Sequence, residues 1–232
     1  MPSAARERVI VALDMPDGAK AMELAGRLDG MIQWFKVGLE LYLAEGNSIV
    51  GSLRDKGYSV FLDLKLHDIP NTVAGAVRSA SRAGAQMLTL HAGGGPAMMA
   101  AAADATAGLA EAPKLLAVTV LTSMDSEQLR AVGIADSPAH QVLRLARVGW
   151  GAGIRGFVSS AEEVAAMRQS FPEATLVIPG IRPMGAAVGD QKRVATPAAA
   201  TAAGADYLVI GRPITQAADP AAAAAAILAE IQ

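Results

Sequence analysis

The sequence contains no cysteine, only three histidines and few aromatic residues, which make up 4% of the 232 positions. The absence of cysteine excludes disulfides, thiolate metal sites, iron–sulfur clusters and a cysteine nucleophile. His67, His91 and His140 are scattered along the chain and have no metal-ligand spacing. The sequence therefore predicts no metal site.

A large charge of one sign is also missing, because 20 basic residues nearly balance 22 acidic ones. A nucleic-acid partner would call for a clustered basic surface, so we expect none. The longest alanine run, Ala221–Ala226, is far shorter than the roughly 20 residues that cross a bilayer, so we expect no membrane span. Met1–Arg8 carries charges and no apolar segment, which argues against a signal peptide. These features predict a cytoplasmic protein.

Eight short apolar runs recur along the chain and are typical of buried parallel strands. They are Val9–Leu13, Met31–Val37, Val60–Leu64, Met87–Leu90, Leu115–Leu121, Gly156–Ser159, Thr175–Ile178 and Tyr207–Ile210. Segments with helical periodicity, such as Glu40–Lys56 and Asn71–Ala83, lie between them. This alternation predicts an α/β protein, a single (β/α)8 TIM barrel that occupies residues 1–232 as one domain. An open doubly wound sheet is the alternative, but its usual glycine-rich turn is replaced here by Asp14-Met15-Pro16-Asp17.

Charged residues stand near the carboxyl ends of the predicted strands, where barrels of this kind have their active site. Asp63 in the third run and Lys65 directly after that run are two positions apart, so both side chains are predicted to point into the barrel. Buried charges persist only when they are paired. Lys36 on the neighbouring strand and Asp68 nearby would complete an alternating array of lysine and aspartate. The alternative is a structural ion-pair network that closes the barrel.

The last two predicted strands each end in an arginine beside glycine and proline: Gly180-Ile181-Arg182-Pro183 and Gly211-Arg212-Pro213. The loops after these strands are the usual phosphate site of such barrels. Glycine lets backbone N–H groups approach an anion, and a guanidinium binds it with two hydrogen bonds. An arginine that caps a surface helix is the alternative. The small residues between Arg182 and Gln191 predict either a lid over bound substrate or an ordinary variable loop.

The motif Asp63-Leu64-Lys65-Leu66-His67-Asp68-Ile69-Pro70-Asn71-Thr72 resembles the signature of the orotidine 5′-phosphate decarboxylase family. The resemblance covers nearly the whole chain. Its other segments are Val9-Ile10-Val11-Ala12-Leu13-Asp14, Phe35-Lys36-Val37-Gly38, Thr119-Val120-Leu121-Thr122-Ser123, Pro179-Gly180-Ile181-Arg182-Pro183, Gly189-Asp190-Gln191 and Val209-Ile210-Gly211-Arg212-Pro213-Ile214. Asp-x-Lys-x-x-Asp alone is shared with sugar-phosphate enzymes on the same barrel, whereas Asp-Ile-Pro-Asn-Thr and Gly-Asp-Gln are more specific.

The resemblance implies a cofactor-independent reaction, in which orotidine 5′-phosphate loses CO2 to give uridine 5′-phosphate, the last step of de novo pyrimidine synthesis. The implied catalytic residues are Lys36, Asp63, Lys65 and Asp68. The reaction leaves a carbanion at C6 of the pyrimidine, so we expect Lys65 to stabilise this charge and to donate a proton to C6. Asp63, together with Asp68 from a partner subunit, would supply the acidic neighbours that this ammonium needs.

The resemblance also implies a homodimer, in which Asp68, Ile69 and Thr72 enter the partner's active site. Asp14, Thr72 and Lys36 would contact the ribose, and Thr122 or its neighbour Ser123 the pyrimidine. Gln191, Arg182 and Arg212 would hold the phosphate. The full set of predicted substrate-binding residues is Asp14, Lys36, Ile69, Thr72, Thr122, Ser123, Pro179, Arg182, Gln191, Gly211 and Arg212.

Three other functions stay open on the sequence alone. One is a metal-dependent sugar-phosphate decarboxylase or synthase of the same barrel superfamily. Another is a Schiff-base enzyme such as an aldolase, which acidic neighbours of Lys65 disfavour because such a lysine needs a lowered pKa. The third is a nucleotide-binding sensor without activity, which would tolerate the loss of Lys65 or Asp68, although both are present.

Overall fold

The structure is a computed structural model that describes residues 4–183 and 193–231. Eight parallel strands form a closed barrel in which each strand pairs with the next and the last pairs with the first. They are β1 (Val9–Ala12), β2 (Trp34–Gly38), β3 (Ser59–Leu66), β4 (Met87–His91), β5 (Lys114–Val118), β6 (Gly156–Val158), β7 (Thr175–Ile178) and β8 (Tyr207–Ile210). Each predicted run overlaps one of these strands, so the prediction of a (β/α)8 barrel is confirmed.

Helices connect the strands and surround the barrel. Within the described residues they are α1 (Ala5–Arg8), α2 (Gly18–Arg27), α3 (Leu39–Glu45), α4 (Asn47–Asp55), α5 (Pro70–Arg82), α6 (Gly95–Asp104), α7 (Ser126–Ala131), α8 (Pro138–Gly151), α9 (Val164–Ser170), α10 (Pro197–Ala202), α11 (Arg212–Thr215) and α12 (Pro220–Glu230), with 3-10 turns at Ala92–Gly94 and Ala161–Glu163. None of these helices has the length and apolar character needed to cross a membrane.

Apolar residues pack on both faces of the strands, which is why the strands appear as continuous apolar runs in the sequence. One set fills the inside of the barrel: Ile10, Ala12, Phe61, Met87, Leu116, Val177, Tyr207 and Val209. The alternate residues, such as Val9, Val11, Val60 and Leu62, pack against the helices. Leu64 and Leu66 pack on the same outer side, so the alternation predicted for β3 holds over most of that strand.

Two predicted elements have different bounds in the structure. The single helix predicted at Glu40–Lys56 is wrong, because the chain breaks at Gly46, where φ is +62°, into α3 and α4. A φ in this range favours glycine, and the break is not visible in hydrophobic periodicity. The strand predicted from Met31 begins only at Trp34, because the N–H groups of Met31 and Ile32 donate to the carbonyl of Leu28 at the end of α2.

Candidate active site

A cavity of about 460 Å³ opens at the carboxyl end of the barrel. Part of its lining is apolar and continuous with the barrel interior, namely Ala12, Phe61, Val158 and Val209. Nine residues predicted from the sequence also line it: Asp14, Lys36, Asp63, Lys65, Thr122, Pro179, Arg182, Gly211 and Arg212. The fold thus brings together residues from seven separated segments of the chain at one opening.

Lysines and aspartates alternate along one wall of this cavity. Nζ of Lys36 lies 2.8 Å from an oxygen of Asp14 and 3.6 Å from an oxygen of Asp63. Nζ of Lys65 lies 2.9 and 3.0 Å from the two oxygens of Asp63. The side chains of Lys36 and Asp63 are only 10% and 13% exposed, so this pairing is what makes their burial tolerable. Within one chain the array consists of Asp14, Lys36, Asp63 and Lys65.

Asp63 is held as a carboxylate at neutral pH. Burial by itself raises the pKa of this group, but the positive charges of Lys36 and Lys65 oppose that effect. Hydrogen bonds from the Lys65 ammonium and the Thr89 hydroxyl lower this pKa further, so the pKa of Asp63 lies below its usual value. A fixed negative charge therefore stands beside the Lys65 ammonium.

An irregularity in β3 directs Lys65 into the cavity. The pairing of β3 with β4 shifts register between Leu62 and Leu66, and Lys65 has a φ of +50°. It is the only non-glycine residue with positive φ in the described parts of the chain. Such a conformation is strained for lysine and occurs mainly where the surrounding structure enforces it, often at functional sites. Bulges of this kind re-aim a side chain beside an active site.

Thr89 on β4 supports this conformation, and sequence reasoning missed it. Its hydroxyl accepts a hydrogen bond of 2.8 Å from the backbone N–H of Lys65 and donates one of 2.9 Å to Asp63. Thr89 is completely buried. A hydroxyl in an otherwise apolar strand, next to a strand with buried charges, was the signal that could have revealed it.

Gly38 at the end of β2 is a second residue that sequence reasoning did not assign. A Cβ at this position would lie 2.8 Å from Nζ of Lys36 and 3.0 Å from an oxygen of Asp14. Both distances are shorter than ordinary van der Waals contacts. The absence of a side chain at Gly38 therefore leaves room for the first ion pair of the array.

Two arginines line the cavity beside the ends of β7 and β8. Arg182 is 9% exposed, and its Nη1 donates to the carbonyl of Ile181 at 2.9 Å. Its backbone N–H donates to the carbonyl of Ala195 at 2.9 Å, which fixes the loop after β7. Arg212 directly follows Gly211 and begins α11. Two guanidinium groups in one cavity wall make this side suited to an anion such as phosphate.

Five predicted site residues do not line this cavity. Ser123 is exposed beside it, so of the two neighbours only Thr122 faces the opening. Asp68 and Thr72 line a second cavity of about 360 Å³, which also touches Lys65. Ile69 is 66% exposed. Gln191 and the predicted lid between Arg182 and Gln191 lie largely outside the described residues.

His67 and His91 stack near Lys65, with ring centres 5.4 Å apart. Nδ1 of His91 accepts a hydrogen bond from the backbone N–H of Gly93. Burial, the neighbouring His67 and the charge of Lys65 lower the pKa of His91 below its usual value. Among residues 4–183 and 193–231 no three His, Asp or Glu side chains form a group that could hold a metal ion.

Comparison with known proteins agrees with this arrangement. The chain matches the family described as "Orotidine 5'-phosphate decarboxylase / HUMPS family" over residues 7–227. It is 53% identical over 225 residues to orotidine 5′-phosphate decarboxylase of Halorhodospira halophila, covering 97% of this chain and 95% of the relative. It is 50% identical over 232 residues to the Pseudomonas fluorescens protein of the same name, covering 99% of each.

A solved structure is also similar. The crystal structure of orotidine 5′-phosphate decarboxylase from Lactobacillus acidophilus superimposes with a TM-score of 0.85 at 38% sequence identity. The match covers 97% of this chain and 99% of that one. Sequence and structure agree over almost the full length, and the chain therefore belongs to the orotidine 5′-phosphate decarboxylase / HUMPS family.

Proposed function

We infer that the protein decarboxylates orotidine 5′-phosphate to uridine 5′-phosphate and CO2, a step of pyrimidine biosynthesis. The observation that carries this inference is the Lys65 ammonium, which Asp63 holds at 2.9 and 3.0 Å in a cavity that also contains two arginines. The names of the relatives support the same activity. The cytoplasm remains the expected location.

The charges along the cavity wall favour one orientation of the substrate. The phosphate dianion would bind Arg182 and Arg212, with Pro179 and Gly211 shaping that end of the site. The pyrimidine would lie at the opposite side, near Lys65 and Thr122. The ribose between them would meet the ion pair of Asp14 and Lys36, whose oxygens and ammonium can bond its hydroxyls.

The chemistry then follows from the pair of Lys65 and Asp63. When the bond between C6 and the carboxylate carbon breaks, its electron pair stays on C6 in the plane of the ring, where no π-system delocalises it. The Lys65 ammonium stabilises the developing negative charge because its position is fixed before the reaction. Nζ then gives a proton to C6, forming the C–H bond of the product, and Lys65 regains a proton from water.

Asp63 has a second effect in this arrangement. Its lowered pKa keeps it negative at neutral pH, and the substrate carboxylate would lie close to it. Repulsion between the two carboxylates ends when CO2 leaves, which favours bond breaking. The charges of Lys36 and Lys65 hold Asp63 in this position at low exposure.

We also propose that two subunits share each active site. None of Asp68, Ile69 and Thr72 lines the large cavity of its own chain. Asp68 and Thr72 line the second cavity beside Lys65, and Ile69 is exposed. On a two-fold axis this loop would meet the partner's Lys65, and Asp68 would extend the charge array. Mixing inactive Lys65→Ala subunits with inactive Asp68→Ala subunits tests this, since one of the two sites in each mixed dimer would combine an intact Lys65 with an intact Asp68. No regained activity would contradict a shared site.

The activity itself is tested by adding orotidine 5′-phosphate and following absorbance near the orotate band, with and without EDTA. We expect the absorbance to fall at the same rate in both samples, because proton donation by Lys65 needs no metal. A constant absorbance would overturn the inference. Decarboxylase or synthase activity on a sugar phosphate that EDTA abolishes would instead favour the sugar-phosphate alternative.

A further inference from the structure

A buried arginine behind the cavity carries an inference that goes beyond the residues lining it. Arg193 is 6% exposed and Glu163 is 3% exposed. Nη1 of Arg193 donates to one carboxylate oxygen of Glu163. The other carboxylate oxygen accepts hydrogen bonds from the backbone N–H and the hydroxyl of Ser160 at the end of β6. The ion pair thus joins the segment before α10 to the loop after β6.

The other terminal nitrogen of the same guanidinium, Nη2, contacts the loop after β5. Nη2 donates to the carbonyl of Leu121 at 3.1 Å and to that of Val120 at 3.4 Å. Both residues line the cavity, and Thr122 follows directly. A planar guanidinium can hold a carboxylate and these two carbonyls together, whereas a lysine ammonium lacks this fixed fork.

The residues that follow Arg193 also hold the loop that carries Arg182. Ala195 forms a parallel bridge with Ile181, and its carbonyl accepts the backbone N–H of Arg182 at 2.9 Å. Arg193 is therefore connected to both sides of the cavity, through Leu121 to Thr122 and through Ala195 to Arg182. It lines neither side itself.

Stability alone is a weak reason for this pair. Desolvation of a buried ion pair often cancels its attraction, so apolar packing would serve as well or better. In addition, Nε of Arg193 is buried and has no hydrogen-bond partner among the described residues. What the pair provides is a fixed geometry for three loops that end at the cavity.

We propose that Arg193, held by Glu163, is a positioning residue that sets the distance between the pyrimidine-binding Thr122 and the phosphate-binding Arg182. The proposal rests on the function inferred above, in which these two residues contact opposite ends of orotidine 5′-phosphate. A displacement of about 1 Å in such a site costs about 100-fold in rate. Small changes at Arg193 are therefore expected to alter kinetics while the barrel stays folded.

The test uses Arg193→Lys and Glu163→Gln, with Arg168→Lys and Asp206→Asn as matched controls. Arg168 and Asp206 form a similar pair at the amino end of the barrel, where Nη2 of Arg168 lies 2.8 Å from Asp206. We expect a 10- to 100-fold lower kcat/KM for the first two variants, with a clear increase of KM. The controls are expected to keep the KM of the unchanged protein. An increase of KM is diagnostic, because a smaller folded fraction lowers apparent kcat and leaves KM as it was.

A double-mutant cycle separates positioning from a general structural role. If Arg193 acts through Thr122, then Arg193→Lys costs much less in a Thr122→Ala background than in the unchanged protein. Additive losses, or losses no larger than those of the two controls, would overturn the proposal. If Arg193→Lys does not yield folded protein, the KM values of Glu163→Gln and Asp206→Asn are compared instead. An increase of KM for Glu163→Gln alone supports the proposal, and equal KM values overturn it. A failure of the unchanged protein to decarboxylate orotidine 5′-phosphate would instead overturn the inferred function.

Discussion

An arginine joins loops at each end of the barrel, but the surroundings of the two side chains differ. At the amino end, Arg168 donates through Nε, Nη1 and Nη2 to the carbonyls of Pro172, Ala174 and Gly204 and to Asp206. At the carboxyl end, Nε of Arg193 has no partner among the described residues, and a cavity of about 460 Å³ lies beside the loops that it joins. At the amino end every guanidinium nitrogen of Arg168 has a hydrogen-bond partner. At the carboxyl end the contacts of Arg193 fix the positions of the loops around the cavity.

The same contrast holds inside the barrel. The amino end is filled by rings and apolar side chains, with Tyr207 edge-on to Trp34 at 5.8 Å and Lys114 over the Tyr207 ring. The carboxyl end carries the array of alternating lysines and aspartates. The difference indicates that changes at the amino end reduce stability, whereas changes at the carboxyl end reduce turnover.

Removing one lysine at each end gives the largest expected effect. Lys65→Ala removes the proposed proton donor, so kcat is expected to fall at least about 1,000-fold. Lys114→Ala removes an exposed lysine at the amino end and is expected to leave kcat within about twofold and stability within about 1 kcal/mol. Absorbance assays and thermal melts measure the two quantities. Turnover of Lys65→Ala close to that of the unchanged protein would exclude Lys65 as the donor.

Removing one arginine at each end is expected to have the next largest effect. Arg212→Ala should lower kcat/KM for orotidine 5′-phosphate by about 10- to 100-fold, the size of lost hydrogen bonds to a charged group. The same variant should lose little with orotidine, which lacks the phosphate. Arg155, which stacks on Trp150 at 4.2 Å, provides the control, and Arg155→Ala should lose stability only. Equal losses of Arg212→Ala on both substrates would remove it from the phosphate site.

Adding one methyl group at each end tests the same comparison more finely. A Cβ at Gly156 would lie 2.7 Å from the backbone oxygen of Leu115, which cannot move away easily. Gly156→Ala should therefore cost about 1–3 kcal/mol of stability at unchanged kcat/KM. Gly38→Ala would instead displace the mobile end of Lys36, so about tenfold of kcat/KM should be lost with little change in Tm. Reversed outcomes for the two glycines would contradict the assignment of roles to the ends.

The smallest expected effects concern the pH dependence of stability. At the carboxyl end His91 has a lowered pKa, so the folded state binds its proton less well and stability falls as the pH drops below about 6.5. At the amino end burial and the charges of Asp206 and Glu7 raise the pKa of Tyr207, so its contribution is lost as the pH rises beyond its usual value of 10.0. His91→Gln should reduce the fall of Tm at acid pH, and Tyr207→Phe should reduce the fall of Tm at alkaline pH, each by roughly 1–3 °C. Thermal melts from pH 5 to pH 11 measure both changes in Tm. An effect of His91→Gln at alkaline pH, or of Tyr207→Phe at acid pH, would contradict the pKa directions on which the prediction rests.

Local patterns were sufficient for much of the candidate site. The two-residue spacing of Asp63 and Lys65 predicted that both face the cavity, and the structure brings them to within 3 Å of each other. Glycine–arginine pairs after the last two strands predicted Arg182 and Arg212 in one cavity wall, where both lie. Strand periodicity accounts for the first prediction, and the position of the loops at the carboxyl ends of parallel strands accounts for the second.

Contacts between distant segments were beyond the reach of such patterns. Thr89 and Gly38 matter because another strand places Lys65 or Lys36 against them, and neither residue is unusual in its own segment. The prediction of one helix at Glu40–Lys56 failed because periodicity does not report that Gly46 adopts a positive φ. The place of Asp68 outside its own chain's large cavity depends on the course of a loop.

The amino-acid sequence was enough to predict the eight strands, their parallel order in a closed barrel and the charged residues at the strand ends. These depend on short continuous apolar runs, on helical periodicity between them and on the residues that follow each run, which are local properties. Three features depend on the tertiary structure: Asp14 pairs with Lys36, β3 shifts register between Leu62 and Leu66, and Arg193 reaches carbonyls 72 and 73 residues away in the chain. Those contacts follow from closure of the barrel, which brings the ends of strands into contact regardless of their separation in the chain.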